Sequence, residues 1–179
     1  MTRQETGQIM DILATAYPEF YNRPGSPDMG KTIKLWASMF QDDPLPVVAA
    51  AVKALIVSDV KGYPPKIGQI KEKIGMLTTP DKMTEMEAWN LVANALRNSA
   101  YGAKEEYDKL PPDVQKLVGS PNQLREWAMM DIDELQSVVA SNFQRSYRVT
   151  AKRKADFMAL PSDVRNLVGS LSNKLALEG

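Results

Sequence analysis

Apolar residues along this chain recur at intervals of three and four far more often than in alternation, a period that predicts helices rather than strands. From Thr2, the residues Ile9, Ile12, Leu13 and Ala16 share one helical face. Thr2 and Glu5 have the spacing at which a hydroxyl and a carboxylate cap a helix start reciprocally. The helix is expected to stop at Tyr17-Pro18, and the following FYNRPGSPDMG, rich in Pro, Gly and Asn, reads as a loop. A second helix starts at Asp28 or Thr32, carries Ile33, Leu35, Trp36, Met39 and Phe40 on a wide apolar face, and breaks at Asp42-Asp43-Pro44. In the third, Leu45, Val48, Ala49, Val52, Leu55 and Ile56 fall on one side, and the alanine run outweighs the β-branched residues that would favour a strand. After a Tyr-Pro-Pro stop, Ile67, Ile70 and Ile74 line a short fourth helix.

The expected fold is therefore all-α, with a four-helix bundle-like N-terminal domain over residues 1–76. A hinge is expected at 77–84, where Thr78-Thr79-Pro80-Asp81 is turn chemistry and Thr84 with Glu87 repeats the capping-box spacing. A second helical unit over 85–179 opens with Trp89, Leu91, Val92, Ala95 and Leu96. Within it, LPPDVQKLVGS at 110–120 returns as LPSDVRNLVGS at 160–170, identical at eight of eleven positions. Each copy reads as a short capped helix: Pro in the first turn, Asp facing the positive helix end, Val and Leu buried, Gly as the stop. Two copies are too few for a solenoid, so the echo is either a duplication or two similar capping turns. Between them, Met130 to Leu160 forms one long helix or two, with Leu135, Val138, Val139, Phe143, Tyr147 and Phe157 as its apolar residues.

Charge narrows the chemistry. The 22 basic and 22 acidic residues cancel, so no large positive field draws the protein onto bulk DNA or an anionic membrane. The absence of Cys and His removes disulfides, thiolate nucleophiles, imidazole bases and ordinary zinc sites. Neither a signal peptide nor a membrane span is expected, which makes the cytoplasm the default address.

One stretch tests for nucleotide chemistry. GSPDMGKT, Gly25 to Thr32, fits the phosphate-loop pattern G-x-x-x-x-G-K-[ST]. That loop needs a strand before it, and AYPEFYNRP is not strand-like. Asp28 sets a negative charge where phosphates would lie, and Pro27 removes a backbone donor. The expectation is a structural loop with a solvated Lys31, no cofactor and no enzymatic activity. Asp131, Asp133 and Glu134 are expected to face a positive helix end rather than a metal ion.

The motif order carries a resemblance. The Thr2/Glu5 start, Tyr17-Pro18-x-Phe20, the Trp36 helix, Pro44 with the Val48/Ala51/Val52 helix, and Tyr63-Pro64-Pro65-Lys66-Ile67-Gly68-Gln69-Ile70-Lys71 together resemble the bacteriophage family of helicase loader and inhibitor proteins. The likeness covers about the first 75 residues, and its strongest phrase is Pro-Pro-x-Ile-x-x-Ile-Lys. Where the family's phrase has Thr and Ala-Glu, this chain has Lys66 and Gly68-Gln69. The resemblance implies a small helical protein without catalysis of its own, acting in the host bacterial cytoplasm. Such a protein binds the hexameric replicative helicase, holds it inactive and delivers it to an origin-bound initiator. It also implies an initiator-associated N-terminal part and a helicase-associated C-terminal part.

Two stretches are candidate partner surfaces. Tyr63, Pro64, Pro65 and Lys66 form either a rigid connector or an exposed recognition turn. Arg145, Tyr147, Arg148, Lys152 and Arg153 lie in FQRSYRVTAKRK, where 145, 148 and 152 share a helical face. That face suits nucleic-acid phosphates, an acidic partner, or plain solvation, and the first option makes a DNA-binding replication accessory protein the alternative function. Trp36, Trp89 and Trp127 suit either core or exposed anchor.

Overall fold

The computed structural model describes residues 1–79 and 81–177. All regular elements among them are helical, as the periodicity predicts. The chain divides into two compact units, Met1–Pro80 with Ala155–Gly179, and Asp81–Lys154. The segment from 155 onward is thus grouped with the first unit, whereas chain order alone assigns it to the second.

In the first unit, α1 (Arg3–Ala16) starts on the expected reciprocal cap. The Thr2 N–H donates to Glu5 Oε2 at 2.7 Å and the Glu5 N–H to Thr2 Oγ1 at 3.2 Å. Its buried stripe is Thr6, Ile9, Met10 and Leu13, rotated from the expected face so that Ala16 is exposed. The buried Thr6 hydroxyl costs little because it donates to Thr2 O at 2.8 Å. Pro18 ends α1 and opens the single turn α2 (Pro18–Tyr21), inside the stretch expected to be loop.

Helix α3 (Met29–Met39) is capped by Asp28 and buries Trp36, with Phe40 just beyond its end. Leu35, expected on the apolar face, is 53% exposed. Helix α4 (Leu45–Ser58) buries Val48, Ala51 and Val52, and α5 (Ile67–Thr78) buries Ile70 and Ile74. Together with Ile9, Met10, Leu13, Tyr17, Trp36 and Phe40 these make one apolar core. Lys71 closes its rim, reaching Asp43 Oδ2 at 2.6 Å with its ammonium 5.0 Å from the centre of the Phe40 ring.

The expected hinge at 77–84 includes Pro80, outside the described residues; α5 runs to Thr78 before it, and α6 (Glu85–Leu96) follows. Thr84 and Glu87 cap α6 reciprocally, and Ala88, Trp89, Val92, Ala95 and Leu96 face inward. Two elements carried no sequence expectation. Helix α7 (Ser99–Lys109) bends at Gly102 and buries only Ser99 and Ala103, and α9 (Pro121–Ala128) buries only Leu124.

Between them lies α8 (Pro112–Val118), the first copy of the echo, with Val114 and Val118 buried and Gly119 ending it at φ +90°. From Ile132 the chain is continuously helical to Ala159: a turn, α10 (Ile132–Glu134), a wide turn at Leu135–Val139 with an i→i−5 bond from the Ala140 N–H, then α11 (Ala140–Ala159). Phe143 of α11 meets Trp89 with ring centres 5.6 Å apart, and Tyr147 packs beside it. Leu110, Val114, Val118 and Leu124 complete the second core.

The second copy of the echo departs from expectation. Helix α12 (Ser162–Leu177) continues through Gly169 instead of stopping there. A glycine within a regular helix is tolerated at a modest cost, and where Gly119 is followed by Ser120-Pro121, the start of α9, Gly169 is followed by Ser170-Leu171, which continues the helix.

Candidate partner-binding surfaces

The α4–α5 connection is built by a carboxylate. Asp59 ends α4, and its Oδ1 accepts the Lys61 N–H at 2.9 Å, which holds its carboxyl below the usual range. Gly62 then adopts φ +72°, a conformation that side-chain-bearing residues resist. The turn so formed leaves Val60 94% and Tyr63 71% exposed, next to Val57 at the last turn of α4, itself 87% exposed. Pro64 is half-buried, Pro65 is buried and Lys66 is exposed. The Lys66 N–H donates to Gln69 Oε1 at 2.8 Å, so half of a capping box survives without the threonine. Tyr17 lies beside Asp59, and burial first, then that carboxylate, push its hydroxyl pKa up.

Of the four residues selected here by sequence, Pro65 is therefore the anchor and Tyr63 the outward group. Val57 and Val60, the other exposed apolar residues here, were not selected from the sequence. Their signal was present: two apolar residues flanking Asp59 just past Ile56, off the buried α4 stripe at 48, 51 and 52.

The basic stretch of α11 is partly consumed by its own unit. Arg148 donates from Nε and Nη2 to Glu85 Oε1 at 3.1 and 2.9 Å. Lys154 reaches Asp113 Oδ2 at 2.6 Å, a hydrogen bond that raises its pKa. Tyr147 is buried, and its hydroxyl donates to Met83 O at 3.4 Å. Arg145, Lys152 and Arg153 are exposed and form no ion pair among the described residues. Three dispersed cations on one helix make a weak electrostatic footprint for phosphates.

The remaining motifs have structural explanations. Asp28 Oδ1 accepts the Lys31 N–H at 3.0 Å, and the Thr32 hydroxyl donates to Asp28 O at 2.9 Å. The Lys31 N–H and the Thr32 hydroxyl are thus engaged in starting α3, while the Lys31 side chain is exposed. Asp131 Oδ1 likewise accepts the N–H groups of Asp133 and Glu134 and caps α10. Trp36 and Trp89 are core residues, and Trp127 packs half-buried against the second core.

Residues 1–71 match the family model for the N-terminal domain of a phage helicase loader/inhibitor protein. The matched span runs from the α1 cap through Lys71, the residue that pairs with Asp43. No curated protein and no solved structure matches the chain.

Proposed function

We propose that this chain is a non-enzymatic phage DNA-replication protein that binds the hexameric replicative helicase, restrains it and delivers it to an initiator bound at the origin in the host cytoplasm. The observation that carries this reading is the match of residues 1–71 to the N-terminal domain of a phage helicase loader/inhibitor. The exposed Val57, Val60 and Tyr63 lie within that span, at the end of α4 and in the braced turn after it, and exposed apolar side chains there suit the anchoring of a protein partner. A second unit with its own core offers a second attachment point, and two attachments on one chain raise the effective concentration of one partner near the other. Restraint follows if the chain binds the resting helicase more tightly than the translocating one, because a ligand shifts only equilibria whose states it binds differently.

The test is unwinding of forked DNA by the phage's replicative helicase with increasing amounts of the full-length chain. The proposal expects unwinding to fall to a plateau at a fixed ratio of chain to hexamer and to recover when an initiator–origin complex is added. Unwinding unaffected at saturating chain contradicts it. The DNA-binding alternative predicts direct, steeply salt-dependent binding of fluorescent DNA by the free chain, lost on substituting Arg145, Lys152 and Arg153 by Ala.

A further inference from the structure

The two copies of the echo differ at the position that matters for docking. In the first, Pro111 precedes α8 and Pro112 is its first residue, a pairing with no N–H to offer. In the second, Pro161 precedes α12 and the first residue is Ser162. Ser162 uses both its donors on one carboxylate of the α3–α4 corner: its N–H donates to Asp42 Oδ2 at 2.6 Å and its hydroxyl to Asp42 Oδ1 at 2.8 Å. Around this contact Gln41 Nε2 donates to Asp163 Oδ1 at 2.7 Å, and Arg165 Nη2 lies 4.0 Å from Asp42 Oδ2. Arg165 stands where the first copy has Gln115, which is spent on the carbonyls of Tyr107, Asp108 and Leu110.

Apolar packing on α12 itself is slight: Pro161 just before the helix is buried and Val164 in its first turn is half-buried. The first copy buries Val114 and Val118, whereas no described residue of α12 is buried, and Leu167 and Leu171 are 59% and 52% exposed. The start of the helix is fixed by polar contacts at the surface, and such contacts are worth about a factor of five to ten in an equilibrium rather than the thousands that a core supplies.

We propose that the Gln41–Asp42 corner is a latch: it holds the start of α12 on the first unit through Ser162, and α12 exchanges between a docked and a released position. The latch concerns this chain alone and stands or falls independently of helicase binding.

The chain has no cysteine, so labels can be placed cleanly. Ser38→Cys on α3 and Ser170→Cys on α12, both exposed sites, would carry nitroxides for distance measurement by pulsed electron resonance on the full chain. The expected result is one narrow docked distance with a minor broad component. Asp42→Ala should lower the docked-to-released ratio about fivefold or more. Ser162→Pro should do the same, because it deletes both donors while proline suits a first helical position, as Pro112 illustrates. Combining the two should cost no more than either alone, since both remove one contact. Should Asp42→Ala fail to fold, Ser162→Pro decides by itself. The latch is overturned if the unsubstituted chain shows only the broad component, or if the folded variants keep its distance distribution.

Discussion

Asp42 and Asp43 are adjacent carboxylates with different duties. Asp43 turns toward Lys71, and the two side chains are only 17% and 12% exposed, so their hydrogen bond is largely shielded from water. Asp43→Ala should therefore cost about 2 kcal/mol of the first unit's stability, read by denaturant unfolding. Asp42→Ala removes no core contact and should cost less, no more than the roughly 1 kcal/mol linked to weaker α12 docking. Asp28→Ala removes the α3 cap and should cost about 1 kcal/mol, while Lys31→Ala, removing an exposed side chain whose N–H alone is engaged, should cost nearly nothing. Gly, Asp, Lys and Thr in this order also suit a loop that runs into a capped helix, the arrangement that Asp28 builds here.

At the scale of elements, the echo sets two glycines against each other. Gly119 sits at φ +90°, where an added Cβ is strained, so Gly119→Ala should destabilise the second unit by about 1–2 kcal/mol. Gly169 lies inside α12 with no atom within 4 Å of an added Cβ, so Gly169→Ala should raise the helix's stability by up to about 1 kcal/mol. Thermal melts followed by circular dichroism, run on both variants, check the opposite signs. The docking of α12 should also depend on pH. The Ser162 hydroxyl and then its N–H hold the Asp42 carboxyl below its usual range, so docking favours the ionised form. Docking is then strongest above the ordinary carboxylate range and weakens as pH falls below about 4. Arg165 on α12 and Lys71 on α5 are the basic side chains facing Asp42, and Asp163 and Asp43 are the neighbouring carboxylates, so the distance measurement on Ser162→Pro provides the reference titration.

Much of this level was legible in the sequence. The caps at Thr2 and Thr84, the breaks at Pro18 and Pro44, and the stripes of α4, α5 and α6 rest on local spacing. What escaped was set by tertiary context. Helix α7 is anchored by Ser99 and Ala103, too small to register as a hydrophobic stripe, and α9 contributes a single fully buried leucine. The two glycines differ locally instead: Ser120-Pro121 opens α9 just past Gly119, whereas Leu171 lets α12 run on past Gly169.

For the whole molecule, the formal charges sum to zero, and no helix among the described residues is long and apolar enough to cross a membrane. The family phrase around Pro64-Pro65 was readable because it combines a proline stop with a helical stripe, and the match over residues 1–71 agrees with it. Exposure was less legible: Tyr147 and Arg148 looked available in sequence, yet one packs inward and the other pairs with Glu85, while Val57 and Val60 stand exposed without a motif to mark them. If these exposed residues anchor a partner, replacing Val57, Val60 and Tyr63 together by Ser should weaken the complex at least tenfold while leaving the melting temperature nearly unchanged. The measurement that reaches the central claim most directly is size-exclusion chromatography with light scattering on the full-length chain mixed with the phage's replicative helicase, with and without ATP. The account predicts a stable complex whose mass equals a hexamer plus a defined number of chains. Elution of the two proteins separately under both conditions would contradict it.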